Sequence, residues 1–320
     1  MSPVTDTSLA KTPAPAPRAA PPLLAMLWRD KLAFASAVIL LLIVVAALLG
    51  PALLGEMAND QNLRGRNFAP FSLARGWQFF LGGDSLGRPM LARLIVAAHS
   101  TILIAAGTVA AAALVGAAAG LVAGYMGKTT SQVIMRLADV IMSFPSLLLA
   151  VVVLYVLGPS IPNMILVLAI TRIPIYLRTT RAEVLEVRER MFVQAAVVMG
   201  ASHRRIIFRH ILPVVAPTLL TIATLDFAFV MLAESSLSFL GIGVQPPDIT
   251  WGLMVAQGRP YLTTAWWLAF WPGLLIVITA LALNLLSGWM RIALDPNQRW
   301  RLEARSTAPV SAKPASPTHG

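Results

Sequence analysis

The chain has 320 residues, 57% of them hydrophobic and 12% charged, with a formal net charge of +11 and no cysteine. A water-soluble domain carries about 25% charged residues, so a soluble globular fold is excluded, and the missing cysteines exclude a disulfide framework, a thiolate metal site and a cysteine nucleophile. A basic excess can serve nucleic acid, but the apolar runs leave little room for a solvated basic domain; the charge reads instead as Lys and Arg retained in cytoplasmic loops.

Residues 1–28 begin with a Pro- and Ala-rich stretch, Met1 to Pro22, expected to be a disordered cytoplasmic tail. Residues 29–55 hold the first transmembrane helix. Leu32 to Leu54 carries no charge and follows Arg29 and Lys31. It is long for a signal-peptide core and starts far from Met1, so an uncleaved span is expected. Residues 56–93 are polar and read as a periplasmic loop.

Residues 94–293 read as a core of five further helices. Leu94 to Gly127 supplies the second span, within which Gly116, Gly120 and Gly124 recur every four residues. Small residues at that spacing let two helices approach closely in lipid. Val140 to Thr171 is too long for one span; Gly158, Pro159 and Pro162 divide it into a third and a fourth. Ile211 to Leu240 is the fifth, interrupted by Asp226 and Glu234. A Gly/Pro-rich connection, Phe239 to Leu262, leads to the sixth, Thr263 to Met290. Its Trp266, Trp267 and Trp271 suit an interfacial aromatic belt. Residues 294–320 form a second cytoplasmic tail. The predicted fold class is therefore all-α, a polytopic membrane protein of six spans with both termini in the cytoplasm. Nineteen Lys and Arg fall on the inner side of that topology and six on the outer.

The loop 178–213 is the most informative segment. Val184, Val187, Met191, Ala195 and Met199 recur at helical steps, predicting one amphipathic helix. Gly200 stands where a left-handed residue would end it. Ser202 is placed to cap a second short helix running from His203 towards Leu212, and Pro213 opens the next span. A capped basic elbow of this kind suits docking into a partner, or lying on lipid headgroups.

Gln194-Ala195-Ala196, three residues, Gly200-Ala201-Ser202, and then Leu212-Pro213 resemble the EAA loop of ABC-importer permeases. The family's leading Glu is Gln194 here, and His210 replaces its usual Ile. The resemblance covers most of the chain. It includes Leu81 through Arg88 (LGGDSLGR), Asp139 with Ser143-Phe144-Pro145, and Glu234 through Gly243. Val244-Gln245-Pro246-Pro247, Trp251-Gly252, Asn284 and Ala293-Leu294-Asp295-Pro296 follow. These are similar to the C-type subunit of the dipeptide, oligopeptide and nickel permeases. The resemblance implies a type I ABC importer permease fold at the inner membrane, without catalytic residues. It also implies a second homologous permease, two ABC ATPase subunits carrying ATP and Mg, and a periplasmic solute-binding protein. No cofactor is expected on this chain.

Asp139, Asp226 and Glu234 are the candidates for a pathway or gate, because ionisable groups in a span usually face a cavity or a partner. An interhelical hydrogen bond is the plainer reading of Asp226 and Glu234, which share roughly one helix face. His203 and His210 have no nearby carboxylate and make a poor metal site. A secondary transporter driven by an ion gradient would explain six spans and Asp226, but not the elbow.

Overall fold

The computed structural model describes residues 23–72 and 76–294. The described residues form an all-α body of eleven helices. Five of them are long and apolar enough to cross a membrane. α1 (Leu23–Arg29) occupies the end of the expected tail. Asp30 then accepts a hydrogen bond from the Ala33 amide and caps α2 (Lys31–Asn59), the first span. The tails 1–22 and 295–320 lie outside the described residues.

α3 (Met90–Tyr125) is the longest helix, 36 residues. It runs antiparallel to α2. Gly50 lies against the Ile95 backbone, and His99 Nδ1 is 2.9 Å from the Ala47 carbonyl oxygen. α6 (Ile161–Val187) packs along its other side. Gly107 meets Ile165, Gly116 meets Tyr176, Gly120 meets Thr180 and Gly124 meets Val184. A Cβ on any of the last three glycines would lie 2.5–2.6 Å from its neighbour's Cβ, so the two backbones are nearly in contact.

Residue numbers rise together along that seam, so α3 and α6 are parallel. Parallel neighbours need a return passage between them. The chain must travel back along about 20 residues of α3, roughly 30 Å, which is the thickness of a hydrocarbon core. α4 (Lys128–Met142) and α5 (Ser146–Leu157) make that passage, bent by 81°. The bend corrects the expectation of an unbroken third span starting near Val140. Pro145 has no amide hydrogen and pushes Phe144 out of helical geometry. The Ser143 amide and hydroxyl close α4 on the carbonyls of Asp139 and Val140 at 3.0 and 2.7 Å. With the bent pair as one passage, the chain crosses six times and its Lys31 and Leu294 ends share a side.

α6 continues through Arg172 and Pro174 to Val187, well beyond the expected end of the fourth span. Residues 178–187 of the expected loop are therefore the last turns of α6. α7 (Met191–Val198) and α8 (His203–Ile206) follow. A π turn, Ile207–Ile211, then leads without a break into α9 (Leu212–Phe239). Pro213 was expected to start a separate helix. The π turn gives its ring room by widening the preceding backbone, so the helix runs on. α10 (Trp251–Gly258) lies inside the expected irregular connection, and α11 (Trp267–Leu294) is the last span.

Large apolar side chains are exposed around the body, among them Leu41, Leu48, Leu53, Leu114, Val156, Val277 and Leu281. In water that outline would aggregate; in lipid it is solvated.

Candidate functional site

At one end of the bundle the chain leaves α6, turns twice and enters α9. Arg188 closes α6 through its amide on the Val184 carbonyl, while its guanidinium donates to the Gly124 carbonyl at 3.1 Å, across on the last turn of α3. Basic side chains are favourable at such exposed carbonyls. α7 is a new helix, not a continuation of α6. Val184 and Val187 therefore belong to the span, and the single stripe expected through Met199 does not exist. Val193 and Ala196 face the body, packed with Leu121, Val184, Ile206, Ile211 and Val215. Met191, Val198 and Met199 stand 80–87% exposed. Gln194 donates to the Glu189 carbonyl at 3.1 Å, and Ala195 is exposed.

Gly200 has φ +78°. Its amide donates to Val197 at 2.9 Å, and that of Ala201 reaches back to Ala196 at 3.0 Å, the paired bonds of a Schellman turn. No atom would lie within 4 Å of a Cβ at Gly200, so backbone conformation alone requires glycine there. Ser202 caps α8 through the Arg205 amide at 3.4 Å, a long bond. His203 shares a 3.0 Å hydrogen bond with the Tyr125 hydroxyl at the end of α3. Leu212 and Pro213 begin α9, part-buried and exposed respectively. The result is a turned knob, fixed to α3 at two points. It presents exposed apolar side chains on α7, and Arg190, Arg204, Arg205 and Arg209 of the same segment are exposed as well.

The buried charges lie elsewhere. Asp226 on α9 pairs with Arg172 on α6, whose guanidinium also stacks on the Phe229 ring, 4.2 Å from its centroid. Arg172, one residue past the expected end of the fourth span, is thus inside a span, where its carboxylate partner offsets the cost of the charge. Glu234 has no cation. Ser238 and Thr250 donate to its Oε1 at 2.7 and 2.8 Å, and Thr250 in turn caps α10. Asp139 on α4 pairs with Arg178 on α6 at 2.6 Å, half-exposed. The residue singled out least by sequence is Asp84, in the loop at the opposite end from the knob. It accepts the amides of Leu86 and Arg88 and the guanidiniums of Arg88 and Arg93. Burial pushes its carboxyl up, but Arg93 and the Arg88 contacts outweigh that and hold it below the usual carboxylate range. Arg88 and Arg93, which sit uneasily in an outer loop by charge count, are bound there to this one carboxylate. Among the described residues no group of three His, Cys, Asp or Glu could hold a metal.

A knob of this construction on a six-passage body defines a membrane permease. The chain belongs to the binding-protein-dependent transport system inner membrane components, whose family model matches residues 116–300. Within that family it falls with the C-type permeases: residues 24–70 match the N-terminal transmembrane domain of oligopeptide transport permease C. It is 38% identical to a di/tripeptide transport system permease protein of Pseudomonas aeruginosa over 83% of this chain and 88% of that one. It is 37% identical to a probable D,D-dipeptide permease protein of Escherichia coli over 85% and 89%. A dipeptide permease protein of the same organism is 44% identical over 68% and 72%. The chain is thus a permease subunit of an ABC transporter, not an enzyme, and the ion-gradient alternative falls.

Proposed function

We propose that this subunit imports di- or oligopeptides, or a related solute such as glutathione or a nickel complex, by alternating access. It pairs with a second, homologous permease. Two ATPase subunits bind ATP and Mg, and one of them receives the α7–α8 knob, with Gln194, Ala195, Ala196, Gly200, Ala201, Ser202, Leu212 and Pro213 shaping the coupling element. A solute-binding protein delivers cargo at the opposite end. The knob end lies in the cytoplasm with both termini. Gly116, Gly120 and Gly124 fuse α3 to α6. Glu234 ties α9 to α10 as part of the gate, and the Asp139–Arg178 pair opens as α4 moves against α6.

The observation that carries this reading is the apolar face of α7. Met191, Val198 and Met199 are exposed on a knob whose other face is packed and which also exposes arginines. An apolar core inside a polar rim is the anatomy of a protein interface. The test is a Val198→Cys variant with single cysteines placed around the ATPase cleft. A disulfide that forms in the assembled transporter and changes yield with ATP supports the reading. A thiol labelled only from the periplasm overturns it. The cargo is read by purifying the partner binding protein and identifying what it carries.

A further inference from the structure

Arg172 lies about 16 Å along α6 from Ile161, near the middle of a layer of roughly 30 Å. Its guanidinium is held by Asp226 on one side and lines a cleft of about 220 Å³ on the other. The cleft opens at the bend between α4 and α5. Ile141, Met142, Phe144, Pro174 and Ile175 make its apolar wall, with Ser146 and Thr171 beside Arg172. No carboxylate lines it.

One buried polar atom beside the cleft, Arg172 Nε, has no hydrogen-bond partner, while the Tyr176 hydroxyl is turned to the Asp226 carboxylate behind it. Asp226 and Tyr176 are 2% and 0% exposed. Buried polar atoms are almost always paired, so Arg172 Nε calls for an absent water or ligand. Arg172 has unused donors, and the cleft offers them no carboxylate, only the neutral hydroxyls of Ser146 and Thr171. Ser146, which lines the cleft, is the first residue of α5, a helix with no side-chain cap, so its uncapped N-terminus adds the same positive sign at the cleft's edge.

We infer that this cleft is a subsite for the terminal carboxylate of a peptide in transit, bound by Arg172 and the α5 amides, with Asp226 as the positioning residue that holds the guanidinium. The apolar wall takes the last side chain. The volume is below the about 300–1,000 Å³ of a whole drug-sized ligand, so the site grips one end of the solute. The inference rests on the peptide-permease reading above.

The chain has no cysteine, so Ser146→Cys places the subunit's one thiol in the cleft. In the purified transporter without binding protein, trialanine slows maleimide labelling of that thiol, and trialanine amide needs about tenfold higher concentration for the same protection. Arg172→Gln alone would strand Asp226, so the decisive variant is Arg172→Gln with Asp226→Asn, which removes both charges; it protects equally with acid and amide. Equal protection in the Ser146→Cys parent overturns the inference. So does an acid preference that survives the double change. A thiol that is unreactive before peptide is added also overturns it, because the second permease then covers the cleft. A transporter that imports trialanine yet fails these tests sinks the subsite alone; one that, with its binding protein, imports no peptide sinks both readings.

Discussion

The two ends of this molecule treat their chemistry in opposite ways. At the loop end the buried charges are paired within the chain. Asp84 takes two amides and two guanidiniums, Arg93 reaches on to Gln257 at 3.3 Å, and the Trp267 indole donates to the Gly83 carbonyl at 3.1 Å. The Trp251 indole donates to the Leu94 carbonyl, and its amide donates to the Thr101 hydroxyl oxygen at 3.0 Å. At the knob end, apolar side chains and arginines both stand in the open. One end is finished by folding; the other, on the function proposed above, is finished by a partner. Substitutions at the loop end should therefore damage the permease itself, and substitutions on the knob's outer face should damage only its coupling.

The sharpest break comes at Gly87. It has φ +79°, and a Cβ there would lie 1.7 Å from the Asn62 carbonyl oxygen. Gly87→Val should abolish a folded subunit, a loss of about 3 kcal/mol or more, seen as an absent monodisperse peak in detergent. A normal peak would show that the loop end is not the rigid part. Asp84→Ala leaves Arg93 buried without its anion and should cost about 3–5 kcal/mol, read as a lower thermal midpoint.

Asp84 also predicts a pH signature. Its folded pKa is depressed, so its contribution is fully present above the unfolded value of about 3.9 and is lost as pH falls through the folded value. The gap in thermal midpoint between wild type and Asp84→Asn should be constant near neutrality and close below about pH 4. A gap unchanged at pH 3 would break the assignment.

At the other end the effects on folding are smaller. Gly200→Arg forces a side chain into the left-handed region at about 1–2 kcal/mol and should reduce co-purification with the ATPase. Gly200→Asn should largely restore it. Smallest of all for the permease's own stability is Val198→Asp, within about 0.5 kcal/mol, although it should strip transport by placing a charge in the proposed interface. A large fall in thermal midpoint for Val198→Asp would mean that the knob's outer face is structural, and the contrast between the ends would dissolve.

Much of this could be read from sequence because the signals are local. Uncharged runs mark the spans, Gly200 followed by Ser202 marks the turn, and the four-residue glycine spacing lies on the α3–α6 seam. What was hidden depends on tertiary partners. Arg172 reads as lying beyond the fourth span until Asp226, 54 positions later, is folded beside it. The α7 stripe failed because residues 188–190 break the helix, shifting its buried positions to Val193 and Ala196, and no Gly or Pro marks that break. α10 went unseen because its cap, Thr250, is set by a bond to Glu234. The bend at Pro145 was visible as a proline, but its angle comes from packing on α6.

The parallel seam of α3 and α6 has a mechanical consequence. With backbones nearly touching over Gly116, Gly120 and Gly124, the two helices form a doubled beam, pinned to the knob by Arg188 and His203. α3 contains no proline hinge and, at 36 residues, is about 54 Å long. A tilt of about 10° at the knob end sweeps the far tip through about 9 Å, enough, under the coupling proposed above, to turn a small stroke of a motor on one side of the membrane into an aperture on the other.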